Sequence, residues 1–194
     1  MNENLFVHRI TSFELSFLTP LMGKKNLFSE NLLMEPAIIM TFQALIEIRE
    51  SCAHFLQSLQ DILTVGYNFD GIAKIFQKRV TSMGSFSRLI EKNPEALHCL
   101  KKYNNHIAVY LAEAPLAEEC VTIESVLLSP FGHYGTYLST FEKLLSFVTS
   151  NVVSNFVSAV RESLLTQTQA IDALIKEQEN RFKLLELQLK CTFF

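Results

Sequence analysis

Thiols and imidazoles come close together in the sequence at two places, Cys52 with His54 and His98 with Cys99. The chemistry such pairs invite is a thiolate nucleophile activated by a neighbouring base. Adjacent residues on a helix point about a hundred degrees apart, and residues two apart face each other no better, so neither pair is a nucleophile with its base. No Gly-rich phosphate loop, HExxH pair or CxxC occurs, which leaves cofactor and metal chemistry without a motif. The four cysteines, Cys52, Cys99, Cys120 and Cys191, have no paired or metal-like spacing and read as ordinary thiols of a reducing compartment. Covalent chemistry and a bound cofactor are therefore not expected.

Composition narrows the class further. In 194 residues, hydrophobic types make up 48% and charged types 19%, enough apolar surface for one domain with a full core. The formal net charge is -3 and the cations are scattered, so nothing resembles the basic stripe that binds nucleic acid by neutralising phosphates. The apolar N-terminal stretch carries Glu3 and Arg9, which fits neither a signal peptide nor a membrane span. No transmembrane segment and a cytoplasmic location are expected.

The elements that must position any site are helices, because no segment sustains two-residue alternation. Leu5, Phe6, Ile10, Phe13, Leu15 and Phe17 line one face from Asn4 to Leu18, with Pro20 and Gly23 expected to end it. Ser29 is read as the N-cap of the next segment, with Pro36 early in it. From Ala37 to Leu63 a series including Phe42, Leu45, Arg49, Cys52, Phe55 and Leu59 keeps helical spacing, and Gly66 to Gly71 reads as a turn. Ile72, Ile75 and Phe76 begin another helix, a break is expected at Asn93-Pro94, and a short helix follows around Ile107 to Leu111. The stretch from Thr122 to Val148 is a helical pattern in which Pro130 must kink or restart the helix. After Thr149 the pattern stays helical to the end, and its narrow apolar stripe from Ile175 to Leu189 is expected to project from the body. One elongated all-α bundle accounts for all of this.

Leu127, Leu128, Pro130 and Tyr137 stand in the frame Leu-Leu-x-Pro-x-Gln-Arg-x-x-x-Tyr, which resembles the third conserved region of the Dbl homology (DH) domain of Rho guanine-nucleotide exchange factors. The opening Glu3-x-x-Phe6-Val7-x-x-Ile10 resembles the first conserved region, with Asn2 in place of a Thr. Phe17, Pro20-Leu21, Phe28-Ser29, Phe42, Ile46, Phe55-Leu56 and Asp70-Gly71-Ile72 follow in the family's order. The resemblance implies an elongated bundle of about six helices whose first, fifth and last members face a Rho, Rac or Cdc42-type small GTPase. Such domains open the switch loops of the GTPase so that GDP leaves.

Carried over residue by residue, the resemblance makes Glu3 the acid for the first switch and Asp172, after Ile171, the acid for the second, about ten helical turns beyond Thr136. Thr136 holds the place of a family Lys, and Gly132-His133 the place of the Gln-Arg pair. A hydroxyl in place of a long cation loses a charge-assisted bond worth about 2 kcal/mol, roughly thirty-fold in affinity. His133 is expected at the surface or half-buried, Glu3 as a terminal acid removable without loss of stability. The same departures favour a rival, an exchange-inactive DH-like scaffold or oligomerisation module. A pleckstrin homology domain usually follows directly in this family, so residues 1–194 look like a domain excised from a larger protein; the Pro130 region is similar to that of alsin-like proteins.

Overall fold

The computed structural model describes residues 3–23, 27–66, 69–113, 115–118, 120, 122–147 and 155–191, with the backbone alone for 27–29, 65, 182 and 185–191. Asn2, Thr149, Val153, Phe193 and Phe194, and the side chains of Phe28, Ser29, Phe182, Leu185, Leu189 and Cys191, lie outside what is described. Among the described residues there is helix and no strand: α1 (Glu3–Phe13), a π-helical turn (Glu14–Leu18), α2 (Thr19–Gly23), α3 (Leu27–Met34), α4 (Pro36–Val65), α5 (Phe69–Thr81), α6 (Gly84–Lys102), α7 (Asn104–Glu113), α8 (Ile123–His133), α9 (Gly135–Ser146) and α10 (Asn155–Cys191). The expected all-α bundle is what the chain forms.

Its long axis is set by α4 and α10, of 30 and 37 residues, about 45 and 55 Å at 1.5 Å per residue. α4 packs along α6, α1 and α5, while α10 crosses α5, α6 and α9. One core joins them, from Phe6, Ile10 and Phe13 on α1 through Leu45 and Ile48 on α4 and Phe86 and Leu89 on α6 to Leu164 and Ile171 on α10. Ion pairs tie the same helices at their edges: Arg49 to Glu14 at 3.2 Å, Arg161 to Glu142 at 2.9 Å, and Arg181 to Glu95. That last pair holds α10 against α6, so α10 does not project from the body as far as Arg181.

Prolines account for most departures from the expected boundaries. Pro20 does not end the first helix, because the preceding turn widens to a π-helix in which Thr19 N–H bonds the Glu14 carbonyl, and the chain stays helical to Gly23. Ser29 lies inside α3 and is no cap; α4 begins at Pro36, with Glu35 extended before it as a residue preceding proline should be. Gly66 ends α4 at φ +95°, where a side chain would be strained. Helix α5 has begun by Phe69, so Asp70 and Gly71, expected in a turn, are helical. At Asn93-Pro94 no break occurs: both are buried within α6, whose packing outweighs the roughly 3 kcal/mol that an interior proline costs.

Candidate GTPase-binding face

Three separate stretches of sequence meet around residues 133–137. α1 presents Glu3 in its first turn, where an acid suits the positive end of a helix, and Phe6 one turn on lies buried beneath it. α8 opens with a capping box in which Ser125 N–H donates to Thr122 Oγ1 at 3.0 Å and Thr122 N–H to Ser125 Oγ at 3.2 Å. Pro130 does not break α8. Its missing N–H leaves the Val126 carbonyl without a helical donor, and the Ser129 hydroxyl supplies one at 2.7 Å. The interruption comes at Tyr134, beyond which α9 begins at Gly135.

Glu3 does not fray into solvent. Its Oε2 lies 2.6 Å from His133 Nε2 and its Oε1 accepts from Tyr137 Oη at 2.7 Å. His133 is fully buried, unlike the surface or half-buried residue expected, and its ring stacks on Phe6 with centroids 3.8 Å apart. Tyr137 Oη also accepts from Arg79 Nη2, which donates to Cys52 Sγ at 2.9 Å. Through Nη1, Arg79 also donates to Ser51 Oγ at 2.5 Å and Ser82 Oγ at 3.3 Å, with its guanidinium 4.4 Å from the Tyr137 ring centroid.

The electrostatics follow from this chain of contacts. Burial alone would raise the Glu3 pKa, but the bond and charge of His133 and the bonds from Tyr137 and Cys52 outweigh it and hold the carboxyl below its ordinary value. Burial opposes the charge on Arg79, and Tyr137, Cys52 and Glu3 more than offset it. The Cys52 thiol is pushed up to about 12, chiefly by burial and against the pull of Arg79. Glu3, Cys52 and His133 offer three ligand atoms within 4.8 Å of one another. They suit a metal ion poorly, since the Arg79 cation already occupies the thiol's side of the cluster and a thiol so hard to ionise is a weak ligand.

The last helix reaches the same place. Asp172 is exposed on α10, and its Oδ1 accepts the hydroxyl of buried Tyr134. Burial, then the Asp172 carboxylate, raise the pKa of that hydroxyl. Thr136 is half-buried and donates to the His133 carbonyl at 2.6 Å, so its hydroxyl stitches α8 to α9. Glu3 and Asp172, 169 positions apart, therefore bond to consecutive residues, His133 and Tyr134. Of the predicted residues, Asp172 stands open to a partner, while Glu3, His133 and Thr136 point into the protein's own bonds.

Arg79 and Cys52 are the participants that sequence reasoning passed over. A signal existed: Ile72, Phe76 and Arg79 are spaced by four and three, which puts the arginine on the buried face of α5. Among the described residues the cluster's hydrogen bonds do not include His54, His98 or Cys99.

The model of the RhoGEF domain family matches residues 1–160. This chain belongs to the RhoGEF (Dbl homology) domain family. No curated protein shows significant similarity to it. Among the described residues no helix is long and apolar enough to cross a membrane.

Proposed function

We propose that residues 1–194 are a single exchange-factor domain of a larger cytoplasmic signalling protein, one that binds a Rho, Rac or Cdc42-type GTPase and promotes release of GDP by remodelling its switch loops. The domain makes and breaks no covalent bond; it lowers the free energy of the nucleotide-free GTPase relative to the loaded one. Equal affinity for both forms would shift nothing. The observation that carries this reading is the meeting of α1, the α8–α9 junction and α10 around residues 133–137, within a chain that belongs to the exchange-factor family. Asp172 faces the second switch and Glu3 the first.

Both Glu3 oxygens are already bonded, so engaging a switch loop requires pulling Glu3 away from His133 and Tyr137. With Thr136 in place of a cation, that makes the exchange slow. The same observation favours a second reading, a DH-shaped module that holds a GTPase, a neighbouring pleckstrin homology domain or a second copy of itself without opening anything. Affinities for nucleotide-free and GDP-loaded Rho, Rac and Cdc42-type GTPases separate the two. An exchange factor binds the empty form at least about tenfold more tightly, by about 1.4 kcal/mol; equal affinities, or self-association with no GTPase binding, establish the scaffold.

A further inference from the structure

A cleft between α4 and α5 backs onto the network described above and shares Ser51, Arg79 and Ser82 with it. It holds ≈ 340 Å³ and is lined by Ser51, His54 and Ser58 from α4 and by Lys78, Arg79 and Ser82 from α5 and the turn after it; no acid lines it. Among the described residues the side chains of His54, Ser58 and Lys78 have no hydrogen-bond or ion-pair partner. Arg79, at the back of the cleft, is 2% exposed, yet every group bonded to it is neutral: the hydroxyls of Ser51, Ser82 and Tyr137 and the thiol of Cys52. Its Nε–H has no hydrogen-bond partner among the described residues. Glu3 reaches it through the Tyr137 hydroxyl and the Cys52 thiol, not by a direct hydrogen bond.

A guanidinium cannot shed its proton, and a buried charge is costly unless an opposite charge compensates it. Here the compensation within the protein is indirect, while the neighbouring cleft offers a second cation, an imidazole and a hydroxyl with nothing to bond. Phe55 and Ile75 add an apolar wall. We infer that this cleft is a binding site for a small phosphomonoester: the phosphate takes Lys78, His54 and Ser58 as donors in the field of Arg79, and the apolar body of the ligand lies against Phe55 and Ile75. Two neighbouring cations favour a phosphate dianion over a carboxylate, and tetrahedral oxygens match donors arriving from two helices. The site stands whether or not the domain exchanges nucleotide.

Phenyl phosphate titrated into the 194-residue protein at 150 mM salt, by calorimetry, tests it. The expected result is saturable one-to-one binding that phenol does not reproduce. Lys78→Ala weakens it about tenfold, the loss of one charge-assisted bond, and Ser58→Asp abolishes it by placing a like charge in the cleft. Lys78 is exposed and Ser58 only half-buried, and melting curves of both variants verify that the fold is kept. Lys143→Ala, which removes an exposed cation on α9, leaves binding unchanged. Absence of saturable binding, equal binding of phenol, or equal weakening by Lys143→Ala and Lys78→Ala overturns the assignment.

Discussion

Replacing Glu3 by alanine removes the carboxylate that joins Tyr137 to His133 in the relay Arg79–Tyr137–Glu3–His133. His133 and Tyr137 each lose a partner in a buried place, and Arg79 loses the carboxylate to which its network connects among the described residues. Two bonds to a charged group at about 1.5 kcal/mol each, the low end suited to a side chain that is 13% exposed, give roughly 3 kcal/mol. That agrees with the lower bound for breaking a buried pair by removing one partner. For a chain of this length 1 kcal/mol moves the melting temperature by about 2–4 °C, so Glu3→Ala melts roughly 6–12 °C below the wild type at neutral pH. Acid adds a second readout. The folded-state pKa of Glu3 lies below its ordinary value of 4.5, so its stabilisation is complete above the unfolded value and is lost as pH falls through the folded one. Differential scanning calorimetry of the two proteins from pH 7 to pH 3 should therefore show a constant gap at neutral pH that narrows below about pH 4.5. A gap under about 1 °C at pH 7, or one that widens in acid, refutes the relay.

Three further substitutions probe the face itself. A Cβ on Gly132 meets nothing within 4 Å and its φ is not positive, so Gly132→Ala should stabilise the protein by about 0.5–1 kcal/mol, read as a higher denaturation midpoint in urea. Asp172→Ala should cost only about 1 kcal/mol of stability by calorimetry, for the bond it accepts from Tyr134, while slowing GDP release roughly tenfold. Thr136→Lys, measured as the GDP-release rate, should raise exchange by up to roughly thirty-fold if the lysine reaches the partner.

How far the sequence disclosed this arrangement depends on which force decided each position. Apolar spacing decided α4, α6 and α10, and those helices run through Phe42, Leu45, Leu89, Leu97, Leu164 and Ile171 in the register that the spacing predicts. Proline positions misled where a local remedy or tertiary packing intervened: the Ser129 hydroxyl at Pro130, a π-turn before Pro20, and burial at Pro94. Ser29 looked like a cap, but the restriction that Pro36 places on Glu35 set the start of α4 instead. The motif frame identified Glu3, His133, Thr136 and Asp172 as members of one region, which is where they lie. It did not disclose that Glu3 turns inward, because that depends on the burial of His133 and Tyr137, partners 130 and 134 positions away.

Release of a fluorescent GDP analogue from Rho, Rac and Cdc42-type GTPases, followed with rising concentrations of this domain, measures the proposed activity itself. Saturable acceleration is expected with at least one GTPase, slow for an exchange factor because Thr136 replaces a cation and Glu3 must leave its bonds, and reduced by Asp172→Ala. Release that stays at the intrinsic rate for every GTPase up to high micromolar domain contradicts it and leaves the scaffold.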